Sequence, residues 1–382
     1  MIDRKDIKKL QNGLKRVLDY ESVLGVSAET NIPIAPPISA SIAITSRCNS
    51  DCMYCSFRSS LSKDKNDIPL DKLKSLIDDL SILGVKVLTF TGGEPLLRED
   101  KYELCSYAKS HKMVVHITTN GILLTKDIAH RLYLSGVSNL IISLDSLDAA
   151  IYMKHRGVSY SVMENALDSL VYFSELDDSC YGVVTFVLSK LNYSELPLFI
   201  KRLNKIGEKL LINIQPYHKP PNAEFFSREF IDEASAEERE IYEALIAAER
   251  ELSPTEEDRK DLNSVIQSVI ELKENGYPVN NSSFYLKNIP DFLIKNKLPE
   301  GISCKAGYSG IYIQENLNML PCWRLPAIGN LSVESALDLW FSEKYSLVRK
   351  AMLNHNCPKC MFLCHNETGW YNWYNKFYKE DE

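Results

Sequence analysis

Short apolar runs alternate with stretches of helical apolar spacing from about residue 38 to residue 216. The runs are nearly continuous in hydrophobicity, which is typical of strands buried on both faces of a parallel sheet. The stretches between them, such as 70–83 and 160–173, repeat apolar residues on one helical face. Six such units predict an α/β fold with a partial (β/α)6 TIM-like barrel, whose chemistry lies at the carboxyl ends of the strands. The apolar runs are ISASIAIT (38–45), VKVLTFT (85–91), VVHITTN (114–120), NLIISLD (139–145), YGVVTFVL (181–188) and LLINIQP (210–216).

Three further segments accompany this barrel, which is predicted to occupy residues 38–216. Residues 1–37 have the pattern of one amphipathic helix followed by the extended linker IPIAPP. Residues 217–303 break the β/α rhythm and predict a helical insertion. Residues 304–382 are rich in loops and cysteines and predict a small C-terminal auxiliary domain.

The helical insertion carries two helix-start signals. SAEE (235–238) has the pattern of a capping box. SPTE (253–256) predicts a second helix with Pro254 at its first position, and Gly276 follows the end of that helix. The many acidic residues of the insertion are typical of solvated helix faces, and a lid over the barrel mouth is the alternative.

Charge and hydropathy exclude several classes of partner. The 382-residue chain has a formal net charge of −7 and no basic stripe, which argues against binding to nucleic acid. No apolar run reaches the roughly 18 residues that a membrane helix needs, so no membrane association is expected. The charged N-terminus has no signal-peptide core, and we therefore expect a cytoplasmic protein.

The ten cysteines are distributed unevenly. In a cytoplasmic protein they are more often metal ligands or buried thiols than disulfides. Cys105 and Cys180 stand alone and are interpreted as small buried hydrophobic residues. The other eight fall in two zones, which are Cys48, Cys52 and Cys55 near the start and Cys304, Cys322, Cys357, Cys360 and Cys364 near the end.

The first zone reads CNSDCMYC (48–55) and directly follows the first predicted strand. A closed structural zinc site needs four ligands, and a four-iron four-sulfur cluster also takes four cysteines. Three cysteines in one short loop can therefore hold three irons and leave the fourth open to a substrate or cofactor. A zinc site that borrows its fourth ligand from elsewhere, or a redox-sensing loop, is the alternative.

The C-x3-C-x2-C spacing of this loop, with Tyr54 before the last cysteine, resembles the radical S-adenosylmethionine (SAM) superfamily. The resemblance implies that SAM chelates the open iron through its amino and carboxylate groups. It also implies reductive cleavage of SAM to methionine and a 5′-deoxyadenosyl radical, which takes a hydrogen atom from the substrate. Gly92, Gly93 and Glu94, at the end of the second predicted strand, resemble the family motif that hydrogen-bonds the SAM amino group.

The same resemblance implies that Tyr54 binds the cofactor, and it implies further SAM contacts at the carboxyl ends of later strands. Asn120 ends the third predicted strand, Ser143 and Asp145 end the fourth, and Leu188 ends the fifth, where it would flank the adenine. Arg156, in KHRG, would pair with the SAM carboxylate as a charge-assisted contact. The alternatives are solvation of the rim, helix capping and, for Leu188, core packing.

The late cysteines resemble the SPASM and Twitch extensions of radical SAM enzymes, which carry auxiliary iron–sulfur clusters. Five cysteines are too few for two fully cysteine-ligated clusters, so the resemblance is nearer the Twitch type with one auxiliary four-iron cluster. The alternatives are a structural zinc and a cluster that keeps one iron open for substrate. The expected ligands are Cys304, Cys322, Cys357 and Cys360, with Cys364 as a close rival to either of the last two.

The expected function is a radical SAM enzyme that oxidises or otherwise modifies a small molecule, such as a natural-product sugar. Modification of a ribosomal peptide is the alternative. It would need a separate recognition partner, because the roughly 37 residues before the first strand are too few for a domain that binds a leader peptide. A zinc-stabilised, non-catalytic binding protein is the alternative of another class. The enzyme would need an external electron donor of the flavodoxin or ferredoxin type. His218, just after the sixth strand, is interpreted as a surface residue or a polar substrate contact.

Overall fold

A nine-stranded sheet is the frame of the computed structural model, which describes residues 18–55, 67–219, 245–300 and 304–361 together with residues 7, 10, 11 and 14. Its strand order is β6-β5-β4-β3-β2-β1-β7-β8-β9. The strands are β1 (Ser39–Thr45), β2 (Val87–Gly92), β3 (Val114–Thr119), β4 (Val137–Ser143), β5 (Tyr181–Leu188), β6 (Leu211–Pro216), β7 (Gly310–Ile313), β8 (Asn318–Leu320) and β9 (Gly329–Asn330).

The first six strands confirm the predicted α/β fold. Each pairs in parallel with its neighbour in sequence, so that all six carboxyl ends lie along one rim. The free side of β1 is taken by β7, again in parallel, and β8 and β9 continue antiparallel. The segment after residue 304 therefore extends the same sheet beside β1.

Helices cover the sheet, and their sequences explain their bounds. In α2, buried Leu73, Leu76, Ile77 and Leu80 recur at three- and four-residue intervals, so one face packs on the core. Gly84 then ends this helix in the left-handed conformation. The helices are α1 (Tyr20–Thr30), α2 (Leu70–Leu83), α3 (Lys101–Ser110), α4 (Lys126–Leu134), α5 (Ala149–Arg156), α6 (Ser161–Glu175), α7 (Leu196–Ile206), α8 (Arg259–Glu274), α9 (Ser283–Lys295), α10 (Ala306–Ser309), α11 (Ala336–Trp340) and α12 (Glu343–Leu353).

In the described part of the insertion, the helical segment begins two residues later than predicted, with a 3-10 turn (Glu256–Asp258) that leads into α8. Thr255, and not Ser253, is the N-cap of this turn, because its side chain and that of Asp258 form a reciprocal capping box. Pro254 therefore precedes the cap, and the prediction that it occupies the first helical position is wrong. Gly276 does follow the end of α8, at φ 86°. The predicted capping box at 235–238 lies outside the described residues.

The insertion also covers the outer edge of β6. Backbone bonds join Ile212 N to Pro278 O at 2.9 Å and Asn280 N to Ile212 O at 2.9 Å. An uncovered strand edge would expose unpaired backbone groups, so this segment protects the end of the sheet. Among the described residues, no helix combines the length and the hydrophobicity needed to cross a membrane.

The isolated cysteines are buried thiols, as predicted. The side chain of Cys105 is fully buried in the main core, and Cys180 is 5% exposed. Burial raises the pKa of the Cys105 thiol to about 12, so it stays protonated at neutral pH.

Buried His116 on β3 makes the stability of the fold sensitive to acid. Burial lowers its pKa to about 4, from about 6.5 in an unfolded chain. Because the unfolded chain binds the proton more readily, stability falls as the pH drops below about 6.5, by about 2 kcal/mol at pH 5. The urea-unfolding midpoint should therefore fall further between pH 7 and pH 5 in the wild type than in His116→Gln. Equal falls would show that His116 carries no such linkage.

Candidate active site

The three-cysteine loop leaves the carboxyl end of β1 and rests on the last turn of α5. Asp51 N donates to Arg156 O at 3.1 Å, and Met53 N donates to His155 O at 3.0 Å. The Ser50 hydroxyl donates to Arg156 O at 2.8 Å. The last carbonyls of a helix have no partner within the helix, so the end of α5 is a ready acceptor surface for the loop.

Gly157 permits this docking, because it ends α5 in the left-handed conformation at φ 68° and lies against the loop. A Cβ atom at this position would lie 2.9 Å from Asp51 O. We expect Gly157→Ala to displace the loop and to lower the iron bound at Cys48, Cys52 and Cys55 after anaerobic reconstitution. Iron and sulfide analysis of the purified variant measures this loss.

Gly276→Ala is the matched control for this substitution. Gly276 has a similar backbone, φ 86°, but no heavy atom lies within 4 Å of its ideal Cβ. Both substitutions therefore carry left-handed strain, and only Gly157→Ala adds a collision. Equal iron loading of the two variants would show that the contact with Asp51 does not position the loop.

The Gly92-Gly93-Glu94 segment fixes the chain immediately before Cys48. Gly93 N donates to Thr45 O at 2.9 Å, and Glu94 N donates to Arg47 O at 2.7 Å. An ideal Cβ on Gly92 would lie 2.4 Å from Thr45 O, and one on Gly93 would lie 2.2 Å from Arg47 O. These glycines are thus required for the close packing of two chain segments, whatever ligand they also approach.

The Glu94 carboxylate joins the ends of β2 and β3. It is fully buried and accepts hydrogen bonds from Thr119 Oγ1 at 2.7 Å, Asn120 N at 2.7 Å and Leu96 N at 2.9 Å. Burial raises the pKa of Glu94, and these three donors oppose the rise. The role of the motif toward SAM stays a prediction.

Asn120 reaches the cysteine loop itself. Its Nδ2 donates to Asn49 Oδ1 at 2.7 Å and lies 3.8 Å from Cys48 Sγ. Its Oδ1 accepts from Ile122 N at 3.0 Å, which fixes the orientation of the amide. The structure therefore brings Asn120 to the first cysteine, as expected of a rim residue, and its contact with SAM remains a prediction.

Asp145 and Arg156 form a buried ion pair behind the loop. Arg156 donates from Nε to Oδ2 at 2.6 Å and from Nη2 to Oδ1 at 2.9 Å, and Val187 N also donates to Oδ1 at 3.0 Å. Burial alone would raise the pKa of Asp145, but the Arg156 charge and these hydrogen bonds hold it well below its usual range.

This pair also contacts two members of the loop. Arg156 Nη1 lies 3.6 Å from Cys52 Sγ, and the Tyr54 hydroxyl donates to Asp145 Oδ2 at 2.5 Å. The guanidinium carbon lies 5.3 Å from the centre of the Tyr54 ring. The sequence predicted separate SAM contacts for Tyr54, Asp145 and Arg156. The structure shows that they are one another's partners, and their contacts with SAM remain predictions.

The two remaining strand-end residues differ in accessibility. Ser143 ends β4, is half-buried and pairs with Thr185 of β5. Leu188 is fully buried within the main core, as its core-packing interpretation would have it. A contact between Leu188 and adenine stays a prediction.

Sequence reasoning missed two residues that contact the loop or the Asp145–Arg156 pair, which are Ser50 and His155. His155 Nδ1 lies 3.5 Å from Asp145 Oδ2, and its Nε2 lies 3.2 Å from Ser189 Oγ. Ser50 Oγ lies 3.3 Å from Cys52 Sγ. The available signal was the KHRG sequence, because a glycine after basic residues is typical of a helix end. It does not indicate which side chains turn inward.

Four of the late cysteines line one cavity: Cys304, Cys322, Cys357 and Cys360. Burial raises the pKa of Cys304 well above its usual value and that of Cys322 to about 12, and the neighbouring cysteines add to both shifts. Thiols crowded in this way become thiolates when bound metal supplies the compensating charge. Cys364 lies outside the described residues.

The chemistry of these donors fits a soft metal site, since thiolates select iron–sulfur clusters and zinc. Within the described ranges, no three Cys, His, Asp or Glu side chains converge on a single-ion position. A four-iron cluster places each cysteine on a different iron, so its ligands surround a larger volume than those of one zinc ion.

Hydrogen bonds join the segments around the late-cysteine cavity to the chain just after β6. Arg324 Nη2 donates to Lys219 O at 2.8 Å and to Pro358 O at 3.1 Å. Met361 N donates to His218 Nε2 at 2.9 Å, and the Tyr285 hydroxyl donates to Met361 O. Burial lowers the pKa of His218, in agreement with its role as a neutral acceptor.

Two parts of the chain match known family models. Residues 42–203 match the radical SAM superfamily, and residues 304–361 match SPASM, an iron–sulfur cluster-binding domain. The first range includes the end of β1, the three-cysteine loop and strands β2 to β5, and the second includes the four cavity cysteines. The cysteine count favoured the shorter Twitch type, whereas the model that matches is SPASM; the number of clusters stays a prediction.

Two relatives agree with these matches. The chain is 29% identical over 164 residues to the AdoMet-dependent heme synthase of Methanosarcina barkeri, covering 43% of this chain and 46% of that protein. It is 30% identical over 177 residues to mycofactocin maturase MftC of Mycolicibacterium smegmatis, covering 46% and 44%. The match thus spans less than half of either relative.

The similarity of fold extends over more of the chain. Streptococcus suis SuiB, in its structure with precursor peptide SuiA, has a TM-score of 0.61 and 19% identity, covering 85% of this chain and 70% of that protein. At this identity the likeness concerns the fold alone.

Proposed function

We propose that this chain, a member of the radical SAM superfamily with a SPASM iron–sulfur domain, is an enzyme that cleaves SAM reductively and removes a hydrogen atom from its substrate. The observation that carries the proposal is the three-cysteine loop. It lies at the carboxyl rim of the parallel sheet and is held there by the Gly92 motif, Asn120 and the end of α5. Catalytic groups at this rim are the rule in related barrels.

The residues of the loop fit a four-iron cluster with one open iron. Cys48, Cys52 and Cys55 are half-buried and follow the carboxyl end of β1, where the cofactor would lie. With SAM on the open iron, such a cluster supplies reductive cleavage of SAM to methionine and a 5′-deoxyadenosyl radical that takes a substrate hydrogen atom. The cofactor carries this chemistry, and the protein provides position and electrostatics.

The chain's own residues would support this chemistry in distinct ways. Asn120 and Arg156 have N–H groups near the sulfurs of Cys48 and Cys52, and hydrogen bonds to cluster sulfurs tune reduction potentials. Glu94 and the Asp145–Arg156 pair fix the strand ends on which SAM would lie. The half-buried Ser143 is available to a ligand at the end of β4.

The late cysteines suggest a two-electron oxidation. Their cavity adjoins the end of β6 through Arg324 and His218, which makes electron transfer between the substrate space and an auxiliary cluster reasonable. A fully cysteine-ligated cluster favours electron transfer over substrate binding. We therefore favour oxidation of a small molecule, such as an alcohol to a ketone, with an external protein of the flavodoxin or ferredoxin type as electron donor.

A peptide substrate is the second candidate. It is favoured by the agreement in fold with SuiB, which was solved with its precursor peptide SuiA. The names of the relatives point in more than one direction, because they include a heme synthase and a mycofactocin maturase. Small-molecule and peptide panels should therefore both be assayed.

The decisive test measures iron, sulfide, zinc and SAM cleavage in anaerobically reconstituted protein. We expect about eight irons per chain, and about four in the Cys48/Cys52/Cys55→Ala triple variant. Under a strong reductant, the wild type should form 5′-deoxyadenosine and the triple variant should not. A fully iron-loaded wild type that never cleaves SAM with any substrate panel would refute the proposal. Zinc in place of iron at both sites would instead favour a non-catalytic binding protein.

A further inference from the structure

Arg324 places a cation next to the late cysteines. The residue lines their cavity together with Cys304, Cys322, Cys357 and Cys360. The polar contacts of its guanidinium are with two backbone carbonyls: Nε and Nη2 donate to Pro358 O at 3.2 and 3.1 Å, and Nη2 also donates to Lys219 O at 2.8 Å. Its charge interacts with Cys360, Cys322, Cys357, Tyr217 and His218.

The contrast with Arg156 shows why this arrangement matters. Arg156 lies beside Cys52, but the Asp145 carboxylate neutralises its charge. Among the described residues, no carboxylate forms an ion pair with Arg324. A partly buried guanidinium keeps its proton, so negative charge close to it is stabilising. Metal-bound thiolates at Cys322, Cys357 and Cys360 would supply such charge.

A fixed cation affects the two redox states of a cluster differently. A cluster held by four thiolates has a net negative charge, which increases by one unit on reduction. Attraction by a nearby guanidinium therefore stabilises the reduced state more than the oxidised state. Net charge is among the factors that set iron–sulfur potentials, so such a cation raises the potential.

We propose that Arg324 raises the reduction potential of a cluster in the late-cysteine cavity, so that this cluster accepts the electron left on the substrate. The inference rests on the proposed function and assigns a direction to its electron flow. The substrate's C–H hydrogen atom goes to the 5′-deoxyadenosyl radical, and the substrate radical then loses one electron to the cluster and one proton to solvent. The oxidised form of an external protein of the flavodoxin or ferredoxin type would take this electron from the cluster.

The test is a redox titration followed by electron paramagnetic resonance. It is performed in the Cys48/Cys52/Cys55→Ala background, which leaves the late cysteines as the site that binds a cluster. We compare Arg324 with Arg324→Gln, which removes the charge, and with Arg324→Lys, which keeps it. Arg324→Gln should make reduction at least tenfold less favourable, a fall of about 59 mV for one electron, while Arg324→Lys should shift the potential less.

Arg349→Lys is the control for general disturbance of this domain. Arg349 is buried and, like Arg324, donates to backbone carbonyls, to Gly307 O at 2.7 Å and Trp340 O at 2.8 Å. Its charge interactions are with Tyr345 and Tyr308, and not with the cysteines. Its substitution should leave the potential unchanged.

Each outcome decides the proposal. It is supported if Arg324→Gln alone lowers the potential, or loses its iron while Arg324→Lys keeps a cluster at the wild-type potential. It is overturned if Arg324→Gln titrates like the parent, if both variants lose their iron, or if the site holds zinc. If wild-type protein still cleaves SAM in those cases, the proposed function stands without this inference. If the protein never cleaves SAM, the proposed function is refuted even when the shift in reduction potential is found.

Discussion

Replacing Cys52 by Ala is expected to abolish SAM cleavage. Two remaining cysteines leave two irons of the cluster without protein ligands, and the Arg156 and Ser50 side chains lose the sulfur that they approach at 3.6 and 3.3 Å. Iron should fall from about eight to about four per chain, because the late-cysteine site remains. Formation of 5′-deoxyadenosine under reductant should drop to the level of a protein-free control.

Cys180→Ala is the matched control for this loss. It removes a buried thiol that belongs to neither cysteine zone, so iron content and SAM cleavage should stay near wild-type values. Cleavage that survives in Cys52→Ala would mean that the loop does not hold the reactive cluster. Equal iron loss in both variants would indicate a general effect of removing cysteines.

Breaking the Asp145–Arg156 pair is expected to have the largest effect on stability. Asp145→Asn leaves the Arg156 guanidinium buried without its counter-ion, and removing one partner of a buried pair costs about 3–5 kcal/mol. The urea-unfolding midpoint of the reconstituted protein should fall accordingly. Asp178→Asn is the control, since it makes the same change in an exposed pair with Lys209 and should have little effect.

A double variant separates the ion pair from simple packing. Arg156→Met alone leaves the Asp145 carboxylate buried and unpaired, whereas Asp145→Asn with Arg156→Met removes both charges. The double variant should be more stable than the sum of the single losses implies, because neither charge is left uncompensated. Additive losses would show that the two groups contribute independently.

The repeating elements were predictable because their signals are local. Apolar runs of strand length and helical spacing each lie within one short segment, and all six predicted strands are found in their predicted order. The start of the helical segment that leads into α8 was misplaced by two residues, because Ser253 and Thr255 both have cap chemistry. Only the reciprocal bond with Asp258 distinguishes them. The pairing of β7 with β1 gave no local signal, since the two strands lie about 270 residues apart.

The chemistry of the site could be predicted from the sequence for a similar reason. The C-x3-C-x2-C spacing of Cys48–Cys55 places its ligands in one loop, so a short motif suffices to indicate a cluster. The side chains that contact each cysteine could not be predicted from the sequence, because they come from other strands and helices. Asn120 is 72 residues from Cys48, and Arg156 is 104 residues from Cys52.

The sequence by itself determined the α/β class, the two cysteine zones and the site chemistry that follows from their spacing. The tertiary structure alone decided that Arg156 is neutralised by Asp145 while Arg324 lines the same cavity as the late cysteines. The reason is physical. Periodicity and motif spacing are properties of neighbouring residues, whereas the charge balance of a buried group depends on which distant side chains the packing brings beside it.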